Sequence, residues 1–252
     1  MSETLPDPIP AATLIILREA GEGPPEVLMV ERAKAMVFAG GAMVFPGGRI
    51  DPGDHALAEL LGGDDETAAR IGAVRETIEE AGLPIGLADL PSADALAEMR
   101  AALHDGKSFA EALAGAGATL DLDRLTPWAR WRPAHAHMRI FDTRFYLAEL
   151  PKDAPRASVD ETENVRLVWS TAAQVLADAD DGKLAIIFPT RRNLERLAQF
   201  ASYADALAHA RATPIVTVTP WPETRDGQDH LCIPESAGYP VTSEAISSAM
   251  RG

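Results

Sequence analysis

Three glutamates spaced to meet on one side of a helix constrain this chain more than any other feature. They are Glu76, Glu79 and Glu80, in the run Arg75-Glu76-Thr77-Ile78-Glu79-Glu80-Ala81-Gly82-Leu83. Positions three and four apart share a helical face, so the acids project together while Val74, Ile78 and Ala81 turn the other way. Crowded carboxylates repel one another unless a cation offsets them, and an all-oxygen donor set suits a hard divalent ion. The competing reading is a solvated acidic face on an acid-rich chain of net charge −15. Two neighbours favour the metal. Gly82 accepts the left-handed backbone of a helix C-terminal cap and so sets where the acidic helix stops. Arg75 is placed to pair with Glu79 one turn on. Upstream, Met43-Val44-Phe45-Pro46-Gly47-Gly48 reads as a strand end followed by flexible backbone able to bring a carbonyl oxygen close to an ion.

Gly48 followed by Arg75-Glu76-x-x-Glu79-Glu80-x-Gly82 resembles the Nudix box. In that family a loop-helix-loop binds magnesium or manganese and hydrolyses the diphosphate linkage of a nucleoside diphosphate attached to another group. The family pattern sets an acid six residues after its glycine and the arginine fourteen after it. Here Asp54 stands at the first place, but Arg75 comes 27 residues after Gly48, so 13 are extra. The extra residues, within 55–66, read as a loop insertion, which closure entropy tolerates well. Thr77 replaces an aliphatic residue of the pattern. The insertion, Val30-Glu31-Arg32 leading into Phe38, and Arg139-Ile140-Phe141-Asp142-Thr143-Arg144-Phe145-Tyr146 are similar to the subgroup related to peroxisomal acyl-CoA diphosphatases. The similarity runs from about residue 11 to at least 219. It implies cleavage of coenzyme A or its acyl esters to a phosphopantetheine product and an adenosine bisphosphate. It also implies an α/β/α sandwich with a mixed sheet; periodicity alone supports an α/β or α+β class.

The resemblance implies Mg2+ or Mn2+ held by Glu76, Glu79 and Glu80 with the Gly48 carbonyl, and catalytic roles for Arg75, Glu76 and Glu80. Water attacking phosphorus must lose a proton, and the candidate bases are a helix glutamate or Glu161 and Glu163, whose competing reading is two solvated loop acids. Substrate phosphates need cations. Arg32 is the first choice, by its forked donors, with Lys34, Arg49 and Arg139 as companions and Arg144 as a further candidate; surface salt bridges are the plainer reading for Arg139 and Arg144. His135 and His137 share a strand face without a further Cys or His cluster. Trp128 and Trp131 suit packing of a helical insertion better than stacking on adenine. Asp51-Pro52-Gly53-Asp54 is turn chemistry first.

With 46% apolar residues among 252, the chain can bury one large core, read as a single domain over 1–252. Strands are expected at 11–17, 26–31, 43–45, 139–150, 165–169 and 215–218. Helices are expected at 65–81 and 172–178, and one long helix opens at Thr190 and carries Leu194, Leu197, Ala201, Ala204 and Leu207. Residues 84–126 read as a helical insertion, with helices near 93–103 and 108–114, and 220–252 as a Pro-rich tail. The charge opposes binding of nucleic acid or anionic lipid. A lone Cys232, no secretory signal and no membrane span point to a cytoplasmic protein. Apolar patches on the insertion or the late helix are candidates for a homodimer surface. Two alternatives remain open: the same chemistry on ADP-ribose, a dinucleotide or another nucleotide derivative, and a non-catalytic nucleotide or cofactor sensor.

Overall fold

The computed structural model describes residues 6–34, 39–134, 140–159 and 164–249. Its centre is a mixed sheet, and the strand Ile9–Arg18 (β1) shows why it is covered on both faces. Ala12, Leu14 and Ile16 point into one apolar core while Ile15 and Leu17 point into the other, the period-two alternation of a strand buried on both sides. Next come Glu26–Arg32 (β2), Met43–Val44 (β3) and Gly47–Arg49 (β4). Two helices follow, Pro52–Leu60 (α1) and Asp65–Ala81 (α2), then Ala93–His104 (α3) and Phe109–Ala116 (α4). The sheet resumes with Thr126–Trp131 (β5), Phe141–Glu149 (β6) and Asn164–Thr171 (β7). Helices Ala172–Asp180 (α5), Phe188–Leu197 (α6) and Tyr203–Ala212 (α7) precede a short strand, Thr217–Val218 (β8). The sheet order is β3-β2-β1-β6-β5-β8, with β4 on β1 and β7 on β2.

One irregularity positions the site. β1 pairs with β2 only at Leu17 and Arg18, and its first half pairs instead with β4, Ala12 opposite Gly48 and Thr13 opposite Gly47. The sheet therefore opens between β1 and β2. Helices α1–α4 cover that face and α5–α7 the other, giving the α/β sandwich. Helix α2 spans the expected residues. Asp64 caps its start by accepting from Glu66 N and Thr67 N, and Gly82, at φ 64°, ends it in the left-handed conformation.

The sequence reading needs correction at five places. The extra residues before Arg75 are not a loop: Asp51-Pro52-Gly53-Asp54 starts α1, with Pro in the first turn and the Asp54 carboxylate accepting from Asp51 N at 2.9 Å. The single late helix is two, broken after Leu197 and restarted by Ser202, whose side chain accepts from Asp205 N; Thr190 lies inside α6 rather than capping it. Trp128 and Trp131 stand on β5, a strand the periodicity missed, and pack against α6, α7 and Tyr239 rather than against the insertion. The tail forms its own antiparallel sheet of Trp221–Arg225 (β9), Gln228–Cys232 (β10) and Ser243–Ala245 (β11). The most exposed large apolar side chains are Leu60 and Leu61, at the end of α1 and not on the insertion or the late helices. Among the described residues no helix is long and apolar enough to cross a membrane.

Candidate functional site

Helix α2 crosses the opening in the sheet and lays its last two turns over β4. An acidic helix face would ordinarily look at water, but here it is laid against β4 and the start of β7, and its acids are half-buried or buried, Glu80 most completely. Gly48 is where strand and helix meet: a Cβ there would run into the Glu76 carboxylate, so the acid holds this position only beside a glycine. Beside it, Glu80 accepts from Gly47 N through Oε2 at 2.8 Å and from Asn164 Nδ2 through Oε1 at 2.9 Å. Arg32, at the end of β2 across the opening, brings Nη1 to 3.9 Å from the same Oε1.

Arg75 organises the other side. Its Nε and Nη2 grip Asp54 at 3.0 and 2.9 Å, its Nη1 reaches Glu76 at 2.9 Å and Glu79 at 3.3 Å, and Nη2 also donates to the Arg49 carbonyl at 2.8 Å. Asp54 is almost wholly buried, so the acid at the family's first position keeps contact with the arginine despite the interposed residues. Thr77 is accommodated because its hydroxyl donates to the Ala73 carbonyl at 2.8 Å, which satisfies it inside the core.

The charges are unbalanced. Among the described residues, Asp54, Glu76, Glu79 and Glu80 meet two guanidinium groups, Arg75 and Arg32. Burial pushes the Glu76 carboxyl up to about 8, with Arg75 opposing and Glu80 and Glu79 adding to the rise. Burial likewise raises Glu79 against the pull of Arg75. For Arg75 burial works against the charge, yet the hydrogen bond with Asp54 and the fields of Glu76, Asp54 and Glu79 prevail and hold its pKa above the ordinary value. Carboxylate oxygens and a nearby backbone carbonyl are the donors a hard divalent cation takes, and a local excess of negative charge is what such an ion relieves. Among the described residues no three acidic, His or Cys side chains already stand converged as a cage: Arg75 draws on Glu76 and Glu79, while Gly47 and Asn164 hold Glu80.

The other expected residues divide. Arg32 joins the acids. The exposed Arg49 side chain follows Gly48 directly, whereas Lys34 lines a cavity of about 600 Å³ with Glu31, Met43, Arg166 and Lys183, on the α5 side of the sheet. Arg144 pairs with Glu66 and the Asp65 carbonyl at the far end of α2, the salt-bridge role. Glu161, Glu163, Arg139, His135, His137 and Phe38 lie outside the described residues. Sequence reasoning missed Asn164, for which there was no signal. It also left the role of Asp54 open, although an Asp-Pro-x-Asp helix start was legible.

Comparison with known proteins agrees with this geometry. A model of the NUDT19 Nudix domain matches residues 59–197, more than half of the chain. The chain belongs to the Nudix hydrolase family. Putative nudix hydrolase 7 of Caenorhabditis elegans is 31% identical over 176 residues, which cover 69% of this chain and 56% of that protein. Acyl-coenzyme A diphosphatase NUDT19 of Gallus gallus is 26% identical over 237 residues, covering 71% and 63%. The chain thus spans 56–63% of the length of these two relatives. A crystal structure of a Nudix hydrolase from Alicyclobacillus acidocaldarius superposes with a TM-score of 0.67 at 31% identity, covering 80% of this chain and 96% of that one.

Proposed function

We propose that this protein hydrolyses the diphosphate bond of coenzyme A or an acyl-CoA, with Mg2+ or Mn2+ as cofactor. The observation that carries the reaction is the junction of Gly48, Glu76 and Glu80 at the opening of the sheet, where buried acids outnumber their cations beside a backbone stripped of side chain. Glu76, Glu79, Glu80 and the Gly48 carbonyl are the donors for the ion. When bound, a divalent ion neutralises phosphate charge and lowers the pKa of a water nucleophile.

The chain's own groups do the remaining work. Asp54 fixes Arg75, which holds Glu76 and Glu79 in place; Gly47 N and Asn164 fix Glu80. Arg32, already facing Glu80 across the opening, is placed to take a phosphate oxygen, with Arg49 and Arg139 as further cations for the substrate. The proton of the attacking water goes to Glu76 or Glu80, or to Glu161 or Glu163 on the connection before β7.

The coenzyme A assignment is supported by the NUDT19-type match and by the Arg32 segment, and it reads 84–126 as an insertion and 220–252 as a tail of one domain built on a shared sheet. The test is a panel of coenzyme A, acyl-CoA, ADP-ribose and dinucleotides with metal titration. Release of phosphopantetheine, absent in Glu80→Gln, is expected; cleavage of ADP-ribose or dinucleotides alone would move the assignment to them, and no turnover of any of them would leave a sensor.

A further inference from the structure

The end of α2 has a charge deficit that its own sequence does not correct. A helix C-terminus carries partial negative charge and is stabilised by cations, yet the last turn of α2 has no basic residue and contains Glu79 and Glu80. Its last four carbonyls lack helical partners, and each is nevertheless taken. Gly82 N donates to Ile78 O and Ser158 N to Ala81 O, both at 3.0 Å. The two between, the carbonyls of the acids themselves, are held from α3, chiefly by Arg100, with His104 Nε2 a further 3.3 Å contact to Glu79 O. Arg100 donates through Nε to Glu79 O at 2.8 Å and through Nη2 to Glu80 O at 3.2 Å. The same guanidinium reaches Ser158 at Oγ and O, at 2.8 and 3.0 Å. The junction is close enough that a Cβ on Gly82 would stand 3.1 Å from Arg100 Nη1 and 3.2 Å from Ser158 Oγ. Residue 158 precedes Glu161 and Glu163 in the chain by only a few positions.

We infer that Arg100 is a positioning residue for the acid cluster: from the inserted helix it supplies the cation the catalytic helix lacks, fixes the backbone of Glu79 and Glu80, and locks that turn to the connection between β6 and β7. The forked guanidinium matters as well as the charge, since it spans two carbonyls and Ser158 at once. This rests on the metal-dependent reading above. It gives the α3–α4 segment a task at the site, since α3 holds the main chain of the acids.

The experiment compares the full chain with Arg100→Ala, Arg100→Lys and, as a control, Arg124→Ala, which breaks ties to Asp121 and the Ala88 carbonyl within the insertion without touching α2. Mn2+ binding is followed by the electron paramagnetic resonance of the free ion, and backbone exchange at residues 78–83 by hydrogen–deuterium exchange without metal. Arg100→Ala is expected to weaken Mn2+ binding by about tenfold or more, the scale of losing a group that orients a metal ligand. Arg100→Lys should fall between it and the parent, and exchange should quicken in both Arg100 variants alone. Mn2+ affinity and exchange no more altered than in Arg124→Ala would overturn the inference. If the parent chain binds no Mn2+, the metal reading fails, and exchange alone then decides on Arg100. Should Arg100→Ala not fold, Arg100→Lys supplies the same two readouts.

Discussion

Arg75 and Arg196 are buried on opposite faces of the sheet, and they are kept there by opposite means. On the α2 side, Arg75 sits among Asp54, Glu76 and Glu79, with Glu80 close by, so acid exceeds base in a place where water is scarce. On the α6 side, Arg196 has aromatic and neutral company. It donates to the Trp128 carbonyl at 2.8 Å and to His209 Nε2 at 3.0 Å, and its guanidinium carbon lies 3.8 Å from the Trp128 ring centroid. Around it Trp128 Nε1 and Tyr239 OH both donate to Asn193 Oδ1, and Trp131 Nε1 donates to Tyr239 OH. The second network ties the tail to the sheet through Tyr239. The first crowds more carboxyls than guanidinium groups among the described residues, a cost a structural core has no reason to carry and a cation site does.

That contrast breaks most readily at Asp54. Replacing Asp54 with Ala removes the chief partner of a buried guanidinium, so unfolding in urea should show a loss of about 3–5 kcal/mol, and activity should fall with it because Arg75 no longer aims Glu76 and Glu79. An unchanged midpoint would mean that the Asp54–Arg75 pair is not the anchor of the site. Next in size is Glu80→Gln, which keeps shape but removes charge from the crowded side. Turnover of the diphosphate substrate should drop at least about 100-fold, while the melting temperature stays level or rises. Loss of both together would make the α2 cluster structural and erase the difference between the faces. Arg196→Ala is the mirror experiment: about 1–3 kcal/mol of stability lost through the bared Trp128 carbonyl, with turnover per folded molecule unchanged.

How much of this was readable beforehand differs between the faces for the same reason. The α2 site rests on residues close in sequence, so spacing alone placed Glu76, Glu79 and Glu80 on one helix ended by Gly82 and brought Arg75 to Glu79. What spacing could not show is the partner supplied from far along the chain. Asn164 reaches Glu80 and Arg100 reaches the end of α2 only once β7 and α3 have packed, and a lone Asn or Arg carries no local mark of that. Helix α1 reads as a loop in the sequence because its Ala- and Gly-containing stretch hides the helix start written in Asp51-Pro52-x-Asp54. The α6 network was illegible throughout: β5 holds Pro127 and two tryptophans in place of a clean alternation, and Tyr239 lies 108 residues from its partner Trp131.

The smallest effect concerns the pH dependence of the α6 face. Glu195, on that helix, accepts from Arg192 Nη2 at 2.8 Å, and the same Arg192 nitrogen donates to Glu244 of β11 at 2.7 Å. Burial pushes the Glu195 carboxyl up to about 7, against the pull of Arg192 and Arg191 and with the help of Glu244 and Asp180. Its ordinary value is 4.5, so the folded protein holds this proton more tightly than the unfolded chain does. The stability this contributes is complete below pH 4.5 and is lost as pH rises to about 7. Other carboxylates titrate in the same range, so the informative quantity is a difference. The melting temperature of the parent minus that of Glu195→Gln, measured from pH 4.5 to 7.5, should fall with rising pH, because glutamine keeps the shape and never ionises. A flat difference would show Glu195 charged throughout as an ordinary partner of Arg192, which would then be held by two charged carboxylates, with no carboxyl beside it kept neutral by burial.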